Sequence, residues 1–166
     1  IQNTEEAYKV VFARGGIAFV ENRPAPAAEI IDFIRSNGAA AVMAHPIHTK
    51  FKPDILYNVV RELQQAGLSG IEVFHASQPR ANRQLYLDII RDLGLITAGG
   101  SDFHGGTAHP ENKLGTGRRH NLNMPYMVLE QLHAAANAPA ANTAAPLSSA
   151  SPVPPVSYYA ELEKYL

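Results

Sequence analysis

The segment Gly99-Gly100-Ser101-Asp102-Phe103-His104-Gly105-Gly106 puts an Asp-x-His pair in a glycine-rich frame. A carboxylate and an imidazole side by side can share a hard or borderline metal ion. If the backbone stays extended through 102–104, the two-residue period of a strand turns Asp102 and His104 to the same side. A surface turn with an incidental histidine would leave the same local sequence. Two residues elsewhere bear on the choice. His45 lies between the apolar run 39–44 and Pro46. The proline limits its neighbour to extended geometry, so His45 should stand at a strand tip, where a neutral imidazole can ligate a metal. It could instead cap the strand by bonding a backbone carbonyl. Glu72 alternates with Ile71 and Val73, and an acid inside a strand is costly without a partner. It is a ligand, a group that orients a ligand, or the solvent-facing residue of a half-exposed strand.

Other candidates are weaker. His48, His75, His109 and His120 fall in loops, where any of them could meet a phosphate. Arg80 and Arg83 open a helix, and Arg118 and Arg119 lie in a later loop. A guanidinium suits phosphate because its planar fork bonds two oxygens, although surface solvation explains each arginine taken singly. There is no Gly-x-Ser-x-Gly elbow and no Gly-x-x-x-x-Gly-Lys-Ser/Thr loop, which disfavours a serine hydrolase and a nucleoside triphosphatase.

The elements that must position these residues alternate. Glu5 to Arg14 can form a short helix stopped by Gly15-Gly16, and Ile17 to Val20 reads as extended. From Ala27 an Ile30, Ile31, Ile34 stripe marks a helix that Asn37-Gly38 stops. The run 39–44 reads as a buried strand. A helix over about 54–66 shows Ile55, Val59, Leu63 and Ala66 on one face, with Gly67 as its stop. Strands at about 70–74 and 95–100 flank a helix over about 81–93, whose stripe is Leu85, Ile89, Ile90 and Leu93. A loop covers 101–123, and Pro125 suits the first turn of a last helix, to about Ala136.

This β-α-β-α-β order predicts parallel α/β structure. His45, Glu72 and Asp102 each fall at or near a strand end, 27 and 30 residues apart, about one βαβ unit each. Parallel strands all end on one side, so the three should converge there.

At 166 residues the chain can build one domain with a real core. Its net charge of −1 advertises no nucleic-acid surface. The absence of cysteine excludes disulfides, thiolate metal sites and a cysteine nucleophile. No apolar run approaches the ~20 residues of a membrane helix. The start, Ile1-Gln2-Asn3-Thr4, reads as internal to a longer polypeptide. The division expected is residues 1–26 as a lead-in, 27–136 as the α/β unit and 137–166 as a tail. The tail is rich in Ala, Pro and Ser, a composition that cannot bury enough surface to offset chain entropy. Its last residues, 157–166, form a short amphipathic helix.

Ala44-His45-Pro46, Gly70-Ile71-Glu72-Val73 and Gly100-Ser101-Asp102-Phe103-His104-Gly105 resemble, in order and spacing, the C-terminal half of PHP-domain phosphoesterases. The resemblance spans roughly residues 5–117 and implies an α/β fold, the C-terminal portion of a distorted seven-stranded β/α barrel. It is closest to stand-alone enzymes that remove the 3′-phosphate from nucleoside 3′,5′-bisphosphates, some of which also trim RNA from the 5′ end. It implies two or three divalent metal ions, manganese, iron or zinc, with His45, Asp102 and His104 as ligands and Asp102 and His104 in catalysis. Glu72, His75, Arg80 and His48 would lie near the ions or the substrate. A small phosphorylated nucleotide is the implied partner, with RNA ends as a second, in the cytoplasm and away from membranes. The family's opening His-x-His, its following Asp and its second-motif acid and histidine have no match here. A complete site would therefore need the N-terminal half of the domain, and residues 1–26 would be the end of an inserted helical subdomain. Histidinol-phosphate phosphatase, a polymerase-associated nuclease and a non-catalytic binding module on the same scaffold are the alternatives.

Overall fold

The computed structural model describes residues 1–21, 23–138 and 153–166. The centre of the fold is a three-stranded parallel sheet in sequence order: β1 (Val42–Met43), β2 (Gly70–His75) and β3 (Ile96–Gly100). The short helix α1 (Thr4–Ala7) and α2 (Ala27–Ser36) precede it. The crossover helices are α3 (Pro53–Gln65), between β1 and β2, and α4 (Arg80–Leu93), between β2 and β3. Then come a short helix α5 (Gly105–Ala108), an antiparallel pair β4 (Asn112–Lys113) and β5 (Gly117–Arg118), and helices α6 (Met127–Asn137) and α7 (Val156–Glu163).

The local signals for these elements act as expected in several places. Asn37 ends α2 and Gly38 follows at φ 75°. Gly94 closes α4 in the left-handed conformation (φ 65°), which glycine adopts without a Cβ penalty. Pro53 opens α3, where its missing N–H costs nothing. The core joins both sheet faces to the helices through Leu56, Val60, Ile71, Val73, Phe74, Leu87 and Ile90, all buried. All six β2 residues are buried, as expected of a central strand covered on both faces.

The three parallel strands expected are present as an open sheet, and no closed barrel exists among the described residues. Other expectations are corrected. The first strand shrinks from 39–44 to Val42–Met43, because only two residues pair with β2 before the backbone turns left-handed at His45. The helix expected over 5–14 is α1 followed by a π-helical turn, Tyr8–Phe12, neither of which buries a residue. Ile17 to Val20 is not a strand, and Ile17 and Val20 are exposed. The buried face of α3 is Leu56 and Val60, one position on from the Ile55, Val59 stripe, and Ile55 stays exposed. The loop over 101–123 contains α5 and the β4–β5 pair.

Part of the Ala/Pro/Ser-rich tail, 139–152, lies outside the described residues. Beyond it, α7 docks against the open edge of β3. The outward Thr97 N–H donates to Tyr158 Oη (3.1 Å), and Tyr159 O–H donates to the Leu95 carbonyl (3.1 Å). Two backbone groups that a fourth strand would otherwise satisfy are thus held by one helix. Leu162 completes the dock, fully buried. Among the described residues, no helix is long and apolar enough to cross a membrane.

Candidate metal centre

The sheet delivers three ligand-bearing side chains to one place. One atom from each of His45, Glu72 and His75 lies within 4.8 Å of the others. His45 follows β1, while Glu72 and His75 both belong to β2. Residues three apart on a regular strand point to opposite faces. Here the pairing of β2 with β3 slips: Glu72 faces Ala98, yet Phe74 faces Gly99. One extra residue on β2 resets the alternation, as a β-bulge does. That shift accounts for His75 sharing a side with Glu72.

His45 is not extended. It sits in the left-handed region at φ 50°, ψ 50°, so the expectation drawn from Pro46 fails. The compensation is visible: the His45 N–H donates to Glu72 Oε2 (2.9 Å), and its Nε2 lies 3.9 Å from the same oxygen. Glu72 is therefore not a solvent-facing strand residue. It is buried, and its partner is the backbone and ring of His45. Strain of this kind, order 1–3 kcal/mol per residue, concentrates at functional sites.

Asp102 is also left-handed (φ 54°), and β3 has ended at Gly100. Strand alternation therefore does not align Asp102 with His104; the turn does. Asp102 presents Oδ2 to His75 Nε2 at 3.9 Å and Oδ1 to His104 Nδ1 at 3.5 Å. One carboxylate thus stands between two imidazoles. His104 Nδ1 lies 2.9 Å from the Asp102 carbonyl, which leaves Nε2 as the atom available to an ion or a proton. His104 is exposed at the rim, whereas His75 is 2 % exposed.

His75 is the residue that sequence reasoning undervalued as a loop histidine. Its signal was position, directly after an apolar strand. Burial pulls its imidazole below the ordinary value; the Glu72 and Asp102 carboxylates oppose this, and His45 and His48 add to it. The neutral form that results is the ligating form. The Ser77 N–H donates to His75 Nδ1 (3.2 Å), and Ser77 Oγ lies 2.8 Å from the same atom, so Nδ1 accepts and the neutral ring carries its proton on Nε2, from which a bound ion would displace it. That Nε2 is buried without a hydrogen-bond partner. His48 stacks on the His45 ring at 5.4 Å and is exposed. Arg80 is not in the cluster; it lines a neighbouring cavity.

The donor set is imidazole and carboxylate without thiolate, which suits zinc, manganese or iron. The residues present therefore fit a divalent metal: buried His75 offers an unpartnered nitrogen, and Glu72 and Asp102 supply charge.

No family model matches the chain. Over 98 residues it is 30% identical to a phosphoribosyl 1,2-cyclic phosphate 1,2-diphosphodiesterase of Eggerthella lenta, covering 59% of this chain and 36% of that protein. Over 104 residues it is 26% identical to a 5′-3′ exoribonuclease of Haemophilus influenzae, covering 63% and 38%. A solved structure from Bifidobacterium adolescentis, described as a metal-dependent phosphoesterase, aligns over 80% of this chain and 44% of its own. Its TM-score is 0.55 at 21% identity, a likeness of fold alone. The chain spans a little over a third of the length of these curated relatives. They support the resemblance to PHP-type phosphoesterases carried by the three motifs.

Proposed function

We propose that this chain contributes to a metal-dependent phosphoesterase that hydrolyses phosphate monoesters of small nucleotides, nucleoside 3′,5′-bisphosphates first, and RNA 5′ ends second. The observation that carries this reading is the convergence of His45, Glu72 and His75 within 4.8 Å, with Asp102 3.9 Å from His75. The relatives' names, both for enzymes that cleave phosphate esters, support the reaction class.

The uncatalysed reaction is slow enough to need up to ~10²¹-fold acceleration. Bound divalent ions would supply Lewis-acid activation of water and neutralise charge on the phosphoryl oxygens. His45, Glu72 and His75 would hold an ion, and Asp102 and His104, beside His75, would offer further oxygen and nitrogen donors. The His45 N–H fixes the Glu72 carboxylate and so orients it. Asp102 and His104 would act at the reacting end, because they stand at the open rim while Glu72 and His75 are buried. Hydrolysis breaks the ester P–O bond, and the leaving oxygen needs a proton; His104 Nε2 and water are the groups at the rim that can provide it.

The sheet is open at three strands and the implied ligand set is partial, so turnover would require the N-terminal half of the same domain. The test is metal content by mass spectrometry on dialysed protein, with phosphate release from a substrate panel, for this chain and for the chain joined to its upstream half. Two or three ions and bisphosphate hydrolysis in the joined protein are expected. Asp102→Ala should lose metal and most activity. Retention of both would sink the assignment, and preference for histidinol phosphate or for DNA ends would move the substrate.

A further inference from the structure

A cavity of about 300 Å³ has walls that include Gln78, Arg80, Arg83, His120, Asn121 and Tyr165. Two of these side chains are buried without full partners. Arg83 is 4 % exposed and its Nε bonds nothing; Gln78 is 4 % exposed and neither its amide oxygen nor its amide nitrogen is paired. Arg83 Nη2 donates to the Asn121 carbonyl (3.2 Å), and its guanidinium lies 5.9 Å from the Phe74 ring centre. Among the described residues, no carboxylate lines the cavity. A buried guanidinium with no counter-ion is costly, because its charge is desolvated and little offsets it. Orphaned buried polar groups call for an explanation, and a missing anionic ligand is one.

We propose that this cavity is a phosphate-binding subsite that holds a second phosphoryl group of the substrate, the one not cleaved, against Arg83, Arg80 and Gln78. Arg83 supplies a planar donor array that two phosphate oxygens can share. Gln78 adds an amide N–H, Arg80 adds positive charge at the mouth, and His120 adds a ring nitrogen there. Arg80 is also the first residue of the 14-residue helix α4, whose N-terminal dipole favours an anion. The link to the metal centre is short. The Gln78 N–H donates to the His75 carbonyl (3.0 Å), and Asn121 Nδ2 donates to the Ala76 carbonyl (2.7 Å). One loop thus carries a metal ligand at one end and the anion pocket at the other. A substrate with two phosphates could be cleaved at one and held by the other. This subsite deepens the phosphoesterase reading and rests on it for the identity of its ligand.

The test is calorimetric titration of the full chain, stripped of metal by chelation, with inorganic phosphate, and then of the metal-loaded chain with a nucleoside 3′,5′-bisphosphate. Phosphate is expected to bind without metal, and R83Q to weaken it at least about tenfold, the effect of one lost charge-assisted contact. Circular dichroism checks that R83Q is folded. If it is not, exposed R80Q and the amide deletion Q78L must each weaken binding instead. Phosphate binding that is absent, or unchanged in the folded variants, overturns the subsite. With metal present, the bisphosphate should bind at least about tenfold tighter than inorganic phosphate. Equal affinity would mean a site for free phosphate and overturn the substrate assignment. Phosphate binding that persists while metal titration fails would overturn the phosphoesterase reading, and with it the substrate identity, but not the anion pocket. Intact metal binding without phosphate binding would do the reverse.

Discussion

His75 Nε2 and Asp102 Oδ2 stand 3.9 Å apart, and this approach joins the end of β2 to the turn after β3. Through His75 the carboxylate of Asp102 reaches the His45–Glu72 pair, and with its other oxygen it reaches His104. Buried and rim side chains are thereby joined in one run of contacts, although Asp102 and His104 lie outside the His45–Glu72–His75 cluster.

Glu72 should govern metal affinity more than its position inside a strand suggests. Glu72→Gln keeps the shape and the acceptor for the His45 N–H but removes the charge. We expect metal affinity to fall roughly tenfold or more, within the range that altered ligand shells produce. Titration with zinc or manganese, followed by calorimetry, reads this. Unchanged affinity would remove Glu72 from the site.

Gly99 controls the spacing of the two strands at the site. A Cβ there would stand 2.4 Å from the Phe74 carbonyl oxygen and 2.8 Å from Met124 Sδ. The carbonyl is backbone and cannot rotate away, so Gly99→Ala must push β3 off β2. The variant should lose stability and also bind metal less tightly, because His75 and Asp102 move apart. Stability lost with metal affinity intact would show that the site tolerates the shift.

The edge cap on β3 predicts specific losses. Tyr158→Phe leaves the Thr97 N–H without its partner in a buried place, a loss of about 1–3 kcal/mol. Leu162→Ala removes a fully buried side chain and should cost about 2–5 kcal/mol. Urea denaturation of both variants measures this. A change within about 0.5 kcal/mol, typical of surface sites, would mean that α7 is not docked in solution.

Burial raises the ionisation of Tyr158 and of Tyr159 to about 12 each. Because the folded pKa lies above the unfolded value near 10, the folded state holds more protons between pH 10 and 12. Stability therefore stays complete below about pH 10 and falls as pH rises through that window. An alkaline absorbance titration should show these two tyrosines ionising together with loss of α7. Early ionisation of all tyrosines would contradict the docked helix.

Local chemistry alone determined much of this protein. Asn37-Gly38 and Gly94 end helices wherever they occur, because their backbone preferences are carried by single residues. The apolar runs ending near His75 and Gly100 mark buried strands for the same reason. Spacing of about one βαβ unit then placed His45, Glu72 and Asp102 at one end of a parallel sheet. Tertiary pairing decided the rest. Whether His75 shares a side with Glu72 depends on the slip between β2 and β3, and a register exists only once two strands meet. The left-handed turns at His45 and Asp102 are held by contacts with other segments: the Glu72 carboxylate takes the His45 N–H, and Asn112 Nδ2 donates to the Asp102 carbonyl at 3.1 Å. The burial of Arg83 and Gln78 depends on the 118–123 loop folding over α4. None of these follows from the period of a segment, because each is fixed by residues distant in the chain.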